Sequence, residues 1–314
     1  MKTYEFSLPN ITYVSYSSLN RLILFWAKLK SIKDSTIYIN CTNVQELDIS
    51  LFSVLGILLE DIKNTNNNTI LFRRIPKLLF SRFIDYEFVK IKSMKNKCIP
   101  HDLELNVLNY KTLSGDDNDL FRSYINENIS KLNLSKNTSD MLIKVLMEIF
   151  LNVQMHARTH PEKNVFKDKE IFFAGYYDKN SDILKFTICN RGISFKDNVK
   201  SKLGLLLKSD HEYISLVLTK GMSSKKTIPG GMGLYFLHNL IKNSNGYLSI
   251  CSGKGLYSIE SNKPTIAFDN QYEFPGSLIS ASFKVNALSN ILIDDISPTM
   301  IFTLNDIIST EGGI

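Results

Sequence analysis

Residues 147–157 read MEIFLNVQMHA. The stretch is too apolar for a surface helix, yet it carries Glu148, Asn152 and His156 at intervals of four. A step of four advances an α-helix by about 40°, so the three side chains span about 80° of one side. That arc borders the apolar stripe of Leu142, Leu146, Ile149 and Val153 and does not oppose it. Polar groups at such a border are either incidental and partly exposed, or they line a cleft. The helix is expected to begin near Asn137 or Thr138, with Ser139 and Asp140 as capping candidates, and to run to about Ala157.

Around this helix the pattern alternates in type. NDLFRSYINENISKLNL (118–134) reads as a preceding helix. EIFFAGYYD (170–178) and ILKFTICN (183–190) form an expected hairpin across the turn KNSD. The stretch from Arg191 to Pro229 reads as loop-rich, with one short helical pattern in HEYISLVLTKG. GGMGLYFLHNLIKNSNG (230–246) is glycines, then helix, then a glycine stop. YLSICSG, GLYSI and GSLISASFKV follow as strands.

The N-terminal part alternates short strands with helices. STIYINCTNV (35–44) is β-rich, and ISLFSVLGILLEDIKN (49–64) has helical periodicity and runs out in NTNNN. TILFRRI (69–75) is another strand, and Pro76 can open the helix PKLLFSRFI at its first turn. Strand, helix, strand, helix argues for a small α/β layer. The basic stretch KIKSMKNKCIPHD (90–102) then reads as a solvated connector.

Composition narrows the class. A chain of 314 residues with 44% hydrophobic and 22% charged residues can build two domains or one large one. A net charge of +6 is mild at this length, so it gives little reason to expect a nucleic-acid or anionic-membrane partner. Cys41, Cys98, Cys189 and Cys251 are far apart without C-x-x-C spacing, which fits reduced thiols in a cytoplasmic protein better than zinc or disulfides. No run approaches the length of a membrane span.

Three constellations recur in a recognisable order. The helix carries E-x-x-x-N-x-x-x-H, the strand end FTICNRGISF carries N-x-G, and PGGMGLYFLHNL places glycines 230, 231 and 233 before a helix. Glycines there leave backbone N–H groups and a helix N-terminus open to a phosphate. Together they resemble the GHKL ATP-binding superfamily, which includes histidine kinase catalytic domains, gyrase-type and Hsp90-type ATPases and anti-sigma-factor serine kinases. The resemblance implies a Bergerat-type α/β sandwich in which a mixed sheet packs on helices, with ATP and magnesium in a pocket under a mobile lid. It makes Glu148 the residue that orients or deprotonates the attacking group and Asn152 the magnesium ligand. His156 takes the place of a polar or basic residue near the phosphates. Asn190 and Gly192 align with the family's D-x-G, and Gly231, Gly233 and Leu234 with its later glycine box. SSKKTIPG (223–230) corresponds to the lid, with Lys225 and Lys226 as candidates to meet the terminal phosphates. Two positions depart from the pattern. Asn190 replaces the aspartate that accepts from the adenine amino group, and Ser194 replaces the next glycine. An amide still accepts that bond but also donates, so the base preference is left open.

INCTNVQELDISLFSVLGILLEDIKN (39–64) is similar to STAS domains, where a strand leads into D-S-x-G and a helix. In anti-sigma-factor antagonists of that family the serine after the aspartate is phosphorylated. Here Ile49 follows Asp48 and Ser50 is one position on.

The expected fold class is therefore α/β (α+β), with a STAS-like α/β domain in 1–95, a linker in 96–118, a GHKL domain in 119–286 and a tail in 287–314. The expected function is an ATP-binding regulatory protein, a slow magnesium-dependent ATPase or a nucleotide-gated switch, acting on a protein partner. An anti-sigma-factor-like serine kinase, acting on a STAS-like partner, and a non-catalytic nucleotide-binding module are the alternatives. A histidine kinase ranks below them, because no dimerisation helix pair with a phosphorylatable histidine precedes Glu148 and His101 lies in a polar segment. Monomer and homodimer are both open.

Overall fold

A computed structural model describes residues 2–89, 105–114, 117–157, 171–219, 232–261 and 263–290. The chain runs β1 (Lys2–Ser7), α1 (Tyr16–Leu29), β2 (Ser35–Asn40), α2 (Phe52–Asn66), β3 (Thr69–Arg73) and α3 (Lys77–Asp85). It continues with β4 (Leu105–Leu113), α4 (Asn118–Ser130), α5 (Lys136–Ala157), β5 (Ile171–Asp178) and β6 (Ile183–Arg191). The remaining elements are α6 (Phe195–Leu203), α7 (Asp210–Val217), α8 (Met232–Asn243), β7 (Tyr247–Glu260) and β8 (Ile266–Lys284).

The first three strands make a parallel sheet in the order β1-β2-β3, with Phe6, Ile39 and Phe72 in register. Two crossovers of the same hand carry α1 and α2 to one face, where Ile37 and Ile39 are buried. The opposite face is open: Glu5 and Arg73 are exposed, and the Arg73 guanidinium lies 3.2 Å from the centre of the Tyr38 ring.

The second sheet has the order β4-β5-β6-β8-β7, and every adjacent pair is antiparallel. This corrects the expectation of a mixed sheet. One face, with Phe173, Phe186, Ile188, Ile250 and Ile279, buries against α4, α5 and α8. Phe121 of α4 stacks on Phe150 of α5 at 4.3 Å between ring centres, and both rings are fully buried. The other face, with Phe172, Ala174, Cys189, Cys251 and Leu278, buries against α1 and α2. The molecule is thus layered as parallel sheet, helices, antiparallel sheet, helices. Every residue of α2 from Phe52 to Leu59 is buried, because that helix lies between two sheets. Strands covered on both faces explain the near-continuous apolar runs IFFAGYY and FTIC.

Several boundaries differ from expectation. Residues 105–113, within the stretch read as a linker, form the edge strand β4. The loop-rich stretch after Arg191 contains α6. Helix α5 starts at Lys136 rather than Asn137 or Thr138, because the Ser135 hydroxyl accepts from the Thr138 backbone N–H at 3.2 Å. Of the tail, residues 287–290 complete a 3-10 turn, Val285–Asn290, and the rest lies outside the described residues.

Asp48 and Ser50 begin a 3-10 turn that leads into α2. The Ser50 hydroxyl donates to the Asp48 carboxylate at 2.6 Å, and Ser50 is only 1% exposed. The same carboxylate accepts from the Ser50 backbone N–H at 3.0 Å, so Asp48 caps the turn and Ser50 is packed within it. Cys41, Cys189 and Cys251 are buried free thiols. Burial pushes the pKa of Cys41 up to about 11 and that of Cys251 to about 12, which leaves both unreactive near neutrality. Among the described residues, no helix is long and apolar enough to cross a membrane.

Candidate functional site

Helix α5 buries Leu142, Leu146, Ile149 and Val153 in the core and leaves Glu148 and Asn152 half-buried at its border. The start of α8 crosses it at this point. A Cβ built on Gly233 would stand 2.8 Å from the Cβ of Glu148, and 3.4 Å from both Glu148 Oε2 and Asn152 Nδ2. Glycine is what allows the first turn of α8 to press against α5. The first N–H groups of that turn, which have no partner within the helix, then lie beside a carboxylate and an amide, where the helix N-terminus favours negative charge. The Asn152 Nδ2 atom is buried and has no hydrogen-bond partner among the described residues.

Buried polar atoms without a partner among the described residues also occur on Asn106, Asn270 and, at both ends of its amide, Asn190. Asn190 is fully buried. Side chains alternate along β6, so Asn190 shares the face of Phe186 and Ile188, which α5 covers. Its backbone is clamped by Gly276 of β8 (φ 140°), where a Cβ would collide with the Asn190 carbonyl. Buried amides normally find partners, so an unsatisfied one calls for an explanation, and a bound ligand is one explanation that suits Asn152 and Asn190.

Ser194 has a structural explanation for its departure from glycine. It caps α6: its hydroxyl donates to Asp197 Oδ2 at 2.6 Å and accepts from the Asp197 N–H at 3.1 Å. Leu234 is 5% exposed and belongs to the core between the sheet and α4, α5 and α8, so its side chain packs while the neighbouring backbone turns. His156 is on the last turn of α5, but its side chain lies outside the described residues, as do Lys225, Lys226 and Gly231.

Gly192 borders a cleft of about 210 Å³ that opens towards the N-terminal layer and is also lined by Asp61, Arg191, Ser194, Lys196 and Asp210. None of Asp61, Arg191, Lys196 or Asp210 was singled out by sequence. Lys196 Nζ donates to Asp210 Oδ1 at 2.8 Å, which raises the lysine pKa. The sequence hint was Arg191, a charged residue at the end of an otherwise apolar strand.

The residues present fit a nucleotide with magnesium. Among the described residues no group of three or more His, Cys, Asp or Glu side chains could hold a metal. Magnesium needs no such group, since it keeps waters and takes one or two protein oxygens together with phosphates. The Asn152 amide oxygen can supply one, and the close approach at Gly233 sets the first N–H groups of α8 beside it. Comparison of the sequence with models of known protein families and with curated proteins gives no match.

Proposed function

We propose that the antiparallel-sheet unit binds ATP with magnesium, and that the protein is a regulatory ATP-binding protein of the GHKL type acting on a protein partner. The observation that carries this reading is the meeting of Glu148, Asn152 and Gly233 at the start of α8. In it, Asn152 offers its amide oxygen to magnesium, the first turn of α8 receives the phosphates, and Asn190 meets the base. Magnesium, when bound, neutralises phosphate charge. Glu148 lies at the edge of an apolar helix face, where a carboxylate can be positioned and partly desolvated to take a proton from an attacking water or hydroxyl. Phosphoryl transfer needs little beyond positioning and charge neutralisation, so slow hydrolysis is the activity this arrangement favours.

The neutral Asn190 in place of an acid favours a second reading, a nucleotide-gated module without turnover. Incubation with γ-labelled ATP separates the two, using wild type and Glu148→Gln. Slow release of free phosphate by wild type, suppressed by roughly 10²-fold in the variant, supports the ATPase. Labelled protein in place of free phosphate points to the serine kinase. Binding with identical background release from both proteins contradicts any catalytic role for Glu148.

A further inference from the structure

Asn190 and Arg191 are consecutive on β6 and face opposite sides of the sheet. Asn190 turns towards α5, whereas Arg191 turns towards the N-terminal layer and is only 4% exposed. Arg191 Nη2 donates to Asp61 Oδ1 at 2.6 Å and to Thr65 Oγ1 at 3.3 Å, both on α2. The other oxygen of Asp61 accepts from Trp26 Nε1 of α1 at 2.9 Å. One carboxylate therefore ties α1 and α2 to the residue next to Asn190. The peptide between Asn190 and Arg191 is planar, and Gly276 presses against it. The two side chains therefore hang from one length of backbone, so the position of the end of β6 is common to both.

We infer that the N-terminal layer sets the nucleotide affinity of the site on the far face of the antiparallel sheet, with the Arg191–Asp61 pair as the link. The inference rests on the nucleotide-binding reading of that site. Most of this interface is apolar or uncharged, with Leu58, Cys189 and Leu278 in one cluster. A buried ion pair in such a place adds little stability over a well-packed apolar pair, and its best-attested use is to select one arrangement over another. The pair also lines the 210 Å³ cleft. Anything that shifts α2 relative to β6 thereby changes how firmly the end of β6 is held. Coupling between two sites is reciprocal, so nucleotide must in turn steady α2.

Hydrogen exchange of the wild-type protein, with and without magnesium and ATP, is the variant-free test. Exchange across 52–66 is expected to slow on binding, although that helix is on the opposite side of the sheet. Asp61→Asn keeps the shape and removes the charge; it should weaken ATP binding by about 5-fold or more and abolish the slowing in α2. Thr65→Val should do the same to a smaller degree. A pair that serves only as a structural staple gives another pattern: Asp61→Asn lowers the unfolding midpoint, ATP affinity is unchanged, and exchange in α2 ignores ATP. That pattern overturns the inference and leaves the nucleotide site standing. Failure of the wild type to bind any adenine nucleotide overturns both.

Discussion

Gly233 and Glu148 meet with no room for a side chain between them: a Cβ on Gly233 would stand 2.8 Å from the Cβ of Glu148. This contact sets how closely the start of α8 approaches α5, and with it the distance between backbone N–H groups and the half-buried carboxylate. Alanine at 233 gains up to about 1 kcal/mol in helix propensity. Overpacking costs about 1–3 kcal/mol, and here the clash is with a Cβ, which cannot swing away like the end of a flexible side chain. Gly233→Ala is therefore expected to be destabilised by about 1 kcal/mol in urea unfolding, and Gly233→Val to lose ATP binding as well. A Gly233→Ala protein more stable than wild type would show that the two helices are not locked at this point.

Asn190 gives a prediction of opposite sign. A buried amide without partners costs about 1–3 kcal/mol, and an apolar side chain of similar size does not incur that cost. Asn190→Leu is expected to raise the stability of the ligand-free protein by about 1 kcal/mol and to lower ATP affinity by 10-fold or more, about 1.4 kcal/mol. Denaturant unfolding and ATP titration of the same variant check both halves. Lower stability with unchanged affinity would make Asn190 a structural residue.

The buried ring of His238 on α8 lies 2.9 Å, at Nε2, from the Tyr257 hydroxyl. Burial, with a further push from Lys242, holds its pKa below the ordinary 6.5. The unfolded chain therefore takes up the proton first as pH falls. The contribution of His238 is fully present above pH 6.5 and declines as pH drops below that value towards the folded pKa. Stability should lose up to about 1.4 kcal/mol per pH unit in that window. His238→Gln should flatten that slope in unfolding curves measured across it, and an unchanged slope would assign the pH dependence to other groups.

Much of the secondary structure could be read in advance because its signals are local. The hairpin of β5 and β6 follows from two apolar runs flanking KNSD, and α5 from an apolar stripe of period 3.6. Strand β4 was obscured by the basic stretch before it and by its weak alternation as an edge strand. Helix α6, FKDNVKSKL, is too polar to show a stripe, and only the Ser194–Asp197 capping box marks it. The all-round apolar LFSVLGILL did carry the information that α2 is covered on both sides, but periodicity alone does not say by what. In the candidate site, the spacing of Glu148 and Asn152 was visible, whereas their approach to Gly233 depends on how two helices cross. The Arg191–Asp61 pair joins residues 130 positions apart and has no local signature.

The central claim is that Asn152 holds magnesium for a nucleotide whose phosphates meet the start of α8. ATP titrations of wild type and Asn152→Ala, each in magnesium and in chelator, test it most directly. Wild type is expected to bind ATP more tightly in magnesium, and Asn152→Ala to lose most of that gain while keeping the affinity seen in chelator. Equal weakening of the variant under both conditions, or a wild type indifferent to magnesium, would contradict the assignment.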